Sequence, residues 1–125
     1  MNKIQLFENR QIRIAWDTET EEWYFSVIDV VEVLTESANP RRYWSDLKIK
    51  MKKEGSQLYE NIVQLKMTSS DGKKYSTNAA TMQQMFRIIQ SIPSPKAEPF
   101  KIWMAEVAKA LPGRVDNNML AENND

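Results

Sequence analysis

Six cations fall between Asn39 and Gly55, in the stretch NPRRYWSDLKIKMKKEG: Arg41, Arg42, Lys48, Lys50, Lys52 and Lys53, against the two acids Asp46 and Glu54. Guanidinium and ammonium groups at this density hold phosphates, because each neutralised phosphate releases a counterion. Wound as a helix of about 3.6 residues per turn, the stretch places Pro40, Tyr43, Trp44, Leu47 and Met51 in one apolar arc. Arg41, Lys48 and Lys52 then line one flank of that arc, beside Ser45, and Arg42 and Lys53 point to the far side. Arginines at a helix start also have the donor fork that bonds guanine edges. The plainer explanation is the water-facing side of an amphipathic helix, and residue chemistry alone leaves both open.

A second basic element follows at Ser69–Tyr75, SSDGKKY, where Lys73 and Lys74 adjoin an Asp-Gly turn. It reads either as a solubilising turn or as a tip that touches a nucleic-acid backbone. Tyr43 and Tyr75 adjoin these cations and are the better candidates for stacking on bases. Of Trp16, Trp23, Trp44 and Trp103, three lie where the local pattern faces a core, so packing is the expected use of the tryptophans.

Catalysis has little to work with. The 125 residues contain no cysteine and no histidine, which removes disulfides, thiolate metal sites and the commonest general base. The acidic run Asp17, Glu19, Glu21 and Glu22 offers oxygen ligands for a hard cation but reads as a solvated loop. No phosphate-binding or dinucleotide-binding glycine motif and no nucleophile elbow is present. The expectation is a protein that is no enzyme and uses no cofactor or metal. There is no apolar run long enough for a membrane span and no signal-peptide core at the N-terminus, so the expected location is cytoplasmic, with no membrane partner. A formal net charge of zero argues against indiscriminate binding to polyanions and leaves local patches open.

These residues need elements to hold them. Ile4–Phe7 and Gln11–Trp16 read as strands joined by Glu8-Asn9-Arg10, the second alternating Ile12, Ile14 and Trp16 with Arg13 and Ala15. Asp17–Glu22 is a loop or hairpin tip, and Trp23–Phe25 a third strand that pairs with the second. Ser26 and Asp29 fit a capping box ahead of Val27, Val30, Val31 and Leu34 at helical spacing. Thr35–Ala38 interrupts, Asn39 caps the basic helix with Pro40 at its first position, and Gly55 stops it. Two short helices so joined have a helix-turn-helix outline. Asn61–Met67 and Lys73–Ser76 form a hairpin around Ser69–Gly72. Thr77 or Asn78 caps a helix over Ala79–Ile92 that turns Met82, Met85, Phe86 and Ile89 to one side. Pro93 and Pro95 force a corner, and a last helix, Pro95–Leu111, buries Phe100, Trp103, Met104 and Val107 before Pro112-Gly113 ends it. Residues 113–125 read as a disordered tail or a truncated linker. The predicted fold is a single α+β domain over residues 1–112, small antiparallel strands and hairpins packed with about four helices.

Two groups of residues together resemble a known family. Trp23-Tyr24-Phe25-Ser26-Val27-Ile28-Asp29-Val30-Val31-Glu32-Val33-Leu34, followed by Asn39-Pro40-Arg41-Arg42-Tyr43-Trp44, is similar to the opening motif of the Bro-N domain, the N-terminal domain of BRO family proteins and of many phage antirepressors. Phe86-Arg87-Ile88-Ile89-Gln90-Ser91, then Lys96 to Trp103 and Leu111-Pro112, resembles its later part. The resemblance spans roughly Ile12 to Pro112. It implies an α+β domain with DNA-binding activity, of viral, phage or prophage origin, that acts in transcription regulation and is usually joined to a different C-terminal domain. It carries over no catalytic residues, and of its motif positions only Arg41 and Arg42 have DNA-contacting chemistry. With it, the expected DNA-binding residues are Arg41, Arg42, Lys48 and Lys52 on the helix, Lys73 and Lys74 on the hairpin, and Tyr43 and Tyr75 beside them. The alternative is an antirepressor module that binds a repressor protein rather than DNA; a carboxylate-metal nuclease is a weaker third. The sequence leaves the oligomeric state open, a homodimer included.

Overall fold

Alternation in the second strand puts Ile12 and Ile14 on one side of a sheet and Arg13 and Ala15 on the other, and the two sides meet different neighbours. The computed structural model describes residues 2–55 and 62–111. Over these, strands β1 (Asn2–Phe7), β2 (Arg10–Asp17) and β3 (Glu22–Ser26) are followed by helices α1 (Val27–Thr35) and α2 (Pro40–Lys53). The hairpin β4 (Val63–Thr68) and β5 (Lys74–Ala80) leads into α3 (Met82–Gln90) and α4 (Ala97–Ala110). The five strands form one antiparallel sheet in the order β1-β2-β3-β5-β4. This is the α+β class expected from the sequence.

The side bearing Ile12, Ile14, Trp23 and Phe25 holds the main core, closed by Val27, Val30, Val31 and Leu34 of α1, Trp44, Leu47 and Met51 of α2, Met85, Ile88 and Ile89 of α3, and Phe100 and Met104 of α4. Removal of these apolar side chains from water is the chief driving force for the fold. The opposite side carries a smaller cluster of Ala15, Tyr24, Met67 and Ala79, with Val63 and Leu65 against it. The sheet therefore coils, so that β4 comes back over β2. Between β3 and β5 only Phe25↔Ala80 and Ser26↔Ala79 are paired, so most of the β4–β5 hairpin extends past β3 as an arm.

The first hairpin turns on Glu8 and Asn9 alone, both with positive φ, 50° and 66°. Arg10, expected in the turn, begins β2 instead. Positive φ at both central residues matches the right-handed twist of the flanking strands. The turn closes on the pair Phe7↔Arg10, so alternate backbone groups of β1, those of Leu6 and Ile4, face the open edge of the sheet. The indole Nε1 of Trp103 donates to the Leu6 carbonyl at 2.9 Å there, and its ring packs against Phe7 and Phe100.

The third helix starts later than the sequence pattern predicts. Thr77 and Asn78 are strand residues, because β5 is pinned on both sides: Ala79 faces Val63 of β4 and Ser26 of β3. Thr81 is the first residue past that pairing, and it makes the capping box. Its Oγ1 accepts from the Gln84 amide, and the Gln84 side chain accepts from the Thr81 amide at 2.9 Å. The helix buries Met85, Ile88 and Ile89, with Met82 and Phe86 partly covered. The fourth helix places Pro99 in its first turn, where no amide is required; Trp103 and Val107 pack on the core but keep part of their surface in water. The strand start at Asn61, the stop at Pro112-Gly113 and the tail at 113–125 lie outside the described residues. Thr81→Ala is expected to cost about 1 kcal/mol in a chemical-denaturation titration, whereas Asn78→Ala stays within about 0.5 kcal/mol.

Candidate nucleic-acid interface

Helix α2 starts where the sequence places it. Asn39 Oδ1 accepts from the Arg42 amide at 3.1 Å, and Pro40 occupies the first position. Trp44, Leu47 and Met51 are buried, and the Lys-rich side stays in water, as the apolar arc requires. The last turn holds Lys50, Lys52 and Lys53, where the negative end of the helix dipole favours cations. The first turn holds no acid and instead carries Arg41 and Arg42, both exposed. Cations at the positive end of a helix oppose the dipole, so the fold does not ask for this pair. Among the described residues neither makes an ion pair with a carboxylate.

The remaining expected residues divide. Lys48 is half-buried, its Nζ 5.5 Å from the centroid of the Trp44 ring, so its charge is shared with a cation–π contact. Lys52 is exposed and has an interaction partner of its own. Tyr43 packs on the core and lines a cleft with Leu34, Thr35, Glu36 and the Pro93–Lys96 segment. On the hairpin, Lys73 and Lys74 are exposed. Tyr75 opposes Met67 and Lys74 opposes Thr68, which puts their side chains on opposite faces of the arm. The Tyr75 hydroxyl donates to Asp71 Oδ2 at 2.6 Å. That bond raises the phenol and lowers the carboxyl from their ordinary values. It fastens the turn, together with Lys73 N–H to Asp71 Oδ1 at 2.9 Å. The arm's end meets α1: Ser69 and Ser70 share a polar cleft with Arg10, Arg13, Asp29 and Glu32. Since α2 packs on α1 as well, α1 is the support that both basic elements share.

Sequence reasoning missed the residue that joins them. Strand pairing stops at Ile14↔Phe25, and the Arg13 amide just beyond donates to Asp29 Oδ2 at 2.9 Å. The Arg13 guanidinium grips the same carboxylate with Nε at 2.8 Å and one terminal nitrogen at 3.0 Å. It also reaches Ser26 Oγ and the Thr68 carbonyl, each at 3.3 Å. Ser26 caps α1 by accepting from the Asp29 amide, while the carboxylate expected to complete that box is taken by Arg13. The side chains are only 19% and 12% exposed, so this ion pair is largely shielded from water. A second junction lies at the α1–α2 turn. Lys96 Nζ is 3.0 Å from both Glu8 and Glu36, two residues held at positive φ.

The four tryptophans pack on the core, and among the described residues no group of three or more acids is placed to hold a metal ion. No described helix is long and apolar enough to cross a membrane. The model of the BRO family N-terminal domain matches residues 11–110.

The chain belongs to the BRO family.

The match covers the whole path from β2 to the end of α4, so the Bro-N domain includes the Arg13–Asp29 pair, the basic helix and the arm. Family membership supports a BRO or antirepressor-like regulatory domain. A search of curated proteins and a search of solved structures each found no match.

Two outcomes are expected from the electrostatics of this region. Arg41→Gln with Arg42→Gln should stabilise the domain by about 0.5 kcal/mol per residue at low ionic strength, the gain shrinking with added salt in thermal melts. Lys96 lowers the Glu36 carboxyl from its ordinary 4.5, first through their hydrogen bond, and is itself raised, first by Glu36 and then by Glu8. A lowered carboxyl contributes stability above its unfolded value and loses it as pH falls through the folded value; the raised lysine stays protonated throughout that range. Lys96→Met should therefore lower Tm at neutral pH, and the gap to the parent should close on acidification.

Proposed function

We propose that this Bro-N domain binds duplex DNA in phage-type transcription regulation, with α2 facing the phosphates. The observation that carries this reading is the Arg41–Arg42 pair, exposed in the first turn of a capped helix where its own dipole disfavours it. Such a placement is favourable once an anion arrives, because the two exposed guanidinium forks can then bond it and its charge offsets theirs. Lys52 and the partly engaged Lys48 extend the contact along α2, and Lys73 and Lys74 add to it from the arm. Tyr43 and Tyr75 contribute less to stacking than their neighbours suggest, since one is committed to the core and the other to Asp71. Contacts of this kind supply affinity and orientation, and base-edge contacts from Arg41 or Arg42 would supply sequence preference.

One feature favours a protein partner instead. Ile49 is 56% exposed on the outer side of α2, in a shallow depression with Asp46, Lys50 and Lys53. An apolar side chain and an acid amid cations suit a repressor surface better than a row of phosphates.

Salt separates the two. Binding of the purified domain to random duplex should weaken with salt, and Arg41→Gln with Arg42→Gln should flatten the log–log slope by about two units, near 0.9 per lost phosphate contact. An unchanged slope removes the pair from the interface. Association that survives high salt and is lost on Ile49→Asp supports the protein-binding reading.

A further inference from the structure

We propose that Arg13 is a positioning residue: by gripping Asp29 and the Thr68 carbonyl together, it sets the arm that carries Lys73 and Lys74 at a fixed place relative to the α1–α2 unit. This rests on the DNA-binding reading above and adds a role for a residue that touches no DNA.

The arm is joined to β3 by only two residue pairs, at its base. Toward its end it is held by Met67, which packs with Ala15 and Tyr24, and by the 3.3 Å hydrogen bond from the Arg13 guanidinium to Thr68. Thr68 is the last residue of β4, directly before the turn. Apolar contact fixes distance loosely, whereas a planar fork with three partners in fixed directions fixes orientation. The Asp29 end of the fork belongs to the first turn of α1, on which α2 packs. One side chain therefore links the end of the arm to the support of the basic helix. A lysine in its place keeps the charge opposite Asp29 but has no second branch for Thr68.

The test is a double-mutant cycle read in duplex binding. Lys73→Gln with Lys74→Gln should flatten the salt slope by about two units in the parent. In an Arg13→Lys background the same pair should change the slope by less than half a unit, because the tip lysines are no longer delivered to the backbone. Arg41→Gln with Arg42→Gln should retain its full effect in both backgrounds. Arg13→Gln with Asp29→Asn, which removes both charges together, should behave as Arg13→Lys does and guards against a lone buried acid. Nitrogen relaxation of the amides of residues 69–73 should show the tip loosening in both backgrounds, with the body of the domain unchanged.

Equal tip-lysine effects in the two backgrounds would overturn the positioning role. So would unaltered tip relaxation in Arg13→Lys. Lysines without effect in the parent would overturn it too, while leaving the α2 contacts intact. Absence of any salt-dependent duplex binding by the parent would overturn the functional reading itself, and this proposal with it.

Discussion

A charge pair shielded from water, Arg13 with Asp29, is the constraint on which this architecture turns. Burial of two ions is costly, and the cost is met only when geometry is close and the remaining donors are satisfied. Both conditions hold here: Asp29 receives the Arg13 amide, Nε and Nη2, Nη2 also reaches Ser26 Oγ, and the remaining nitrogen, Nη1, finds the Thr68 carbonyl. The pair occupies the point where β3 stops being a strand and becomes α1. Asp29 takes the amide that the strand would otherwise have paired, so the ladder is continued by a side chain and no polar backbone group is stranded. Sheet, first helix and arm then have one relative arrangement.

The basic helix illustrates how a balanced protein concentrates charge. Trp44, Leu47 and Met51 fix which side of α2 is inward, and that choice commits the remaining positions to water. Cations in the last turn need no functional explanation, since the helix end favours them. The first turn is different, because there the local field works against the guanidiniums. A neutral total therefore conceals an uneven distribution, in which three of the acids serve junctions, Glu8 and Glu36 with Lys96 and Asp29 with Arg13, away from the cations of α2.

Local chemistry made much of this legible. Alternation in β2, the Asn39-Pro40 cap, the Asp71-Gly72 turn and the helical spacing of apolar residues each report a preference of a few neighbouring residues, and each is realised. Where the reading departs, a distant partner is responsible. Thr77-Asn78 has the composition of a cap, yet pairing with Leu65 and Gln64 of β4 holds it extended, and β3 pins the next two residues, Ala79 and Ala80. Arg13 alternates with buried isoleucines and so reads as a solvent residue, and Asp29 reads as a cap; nothing local joins two residues sixteen apart. Tyr75 shows the same limit at the candidate site: adjacency to Lys74 implies a shared surface, whereas strand pleating separates them. The cations of α2 were legible, and their relation to the arm was not, because α1 mediates it.

The indole of Trp103 also bears on how this sheet behaves among copies of itself. An outermost strand with unspent amides and carbonyls is a template on which a foreign strand can grow. β1 carries exposed Ile4 and Leu6, the kind of side chains that reward such growth. By occupying the Leu6 carbonyl, the last helix plugs a rung of that template and leaves a ring over the strand's end. Loss of that plug would uncover Phe7 and Phe100 and also expose a sticky border, so the residue guards colloidal behaviour as much as it fills space.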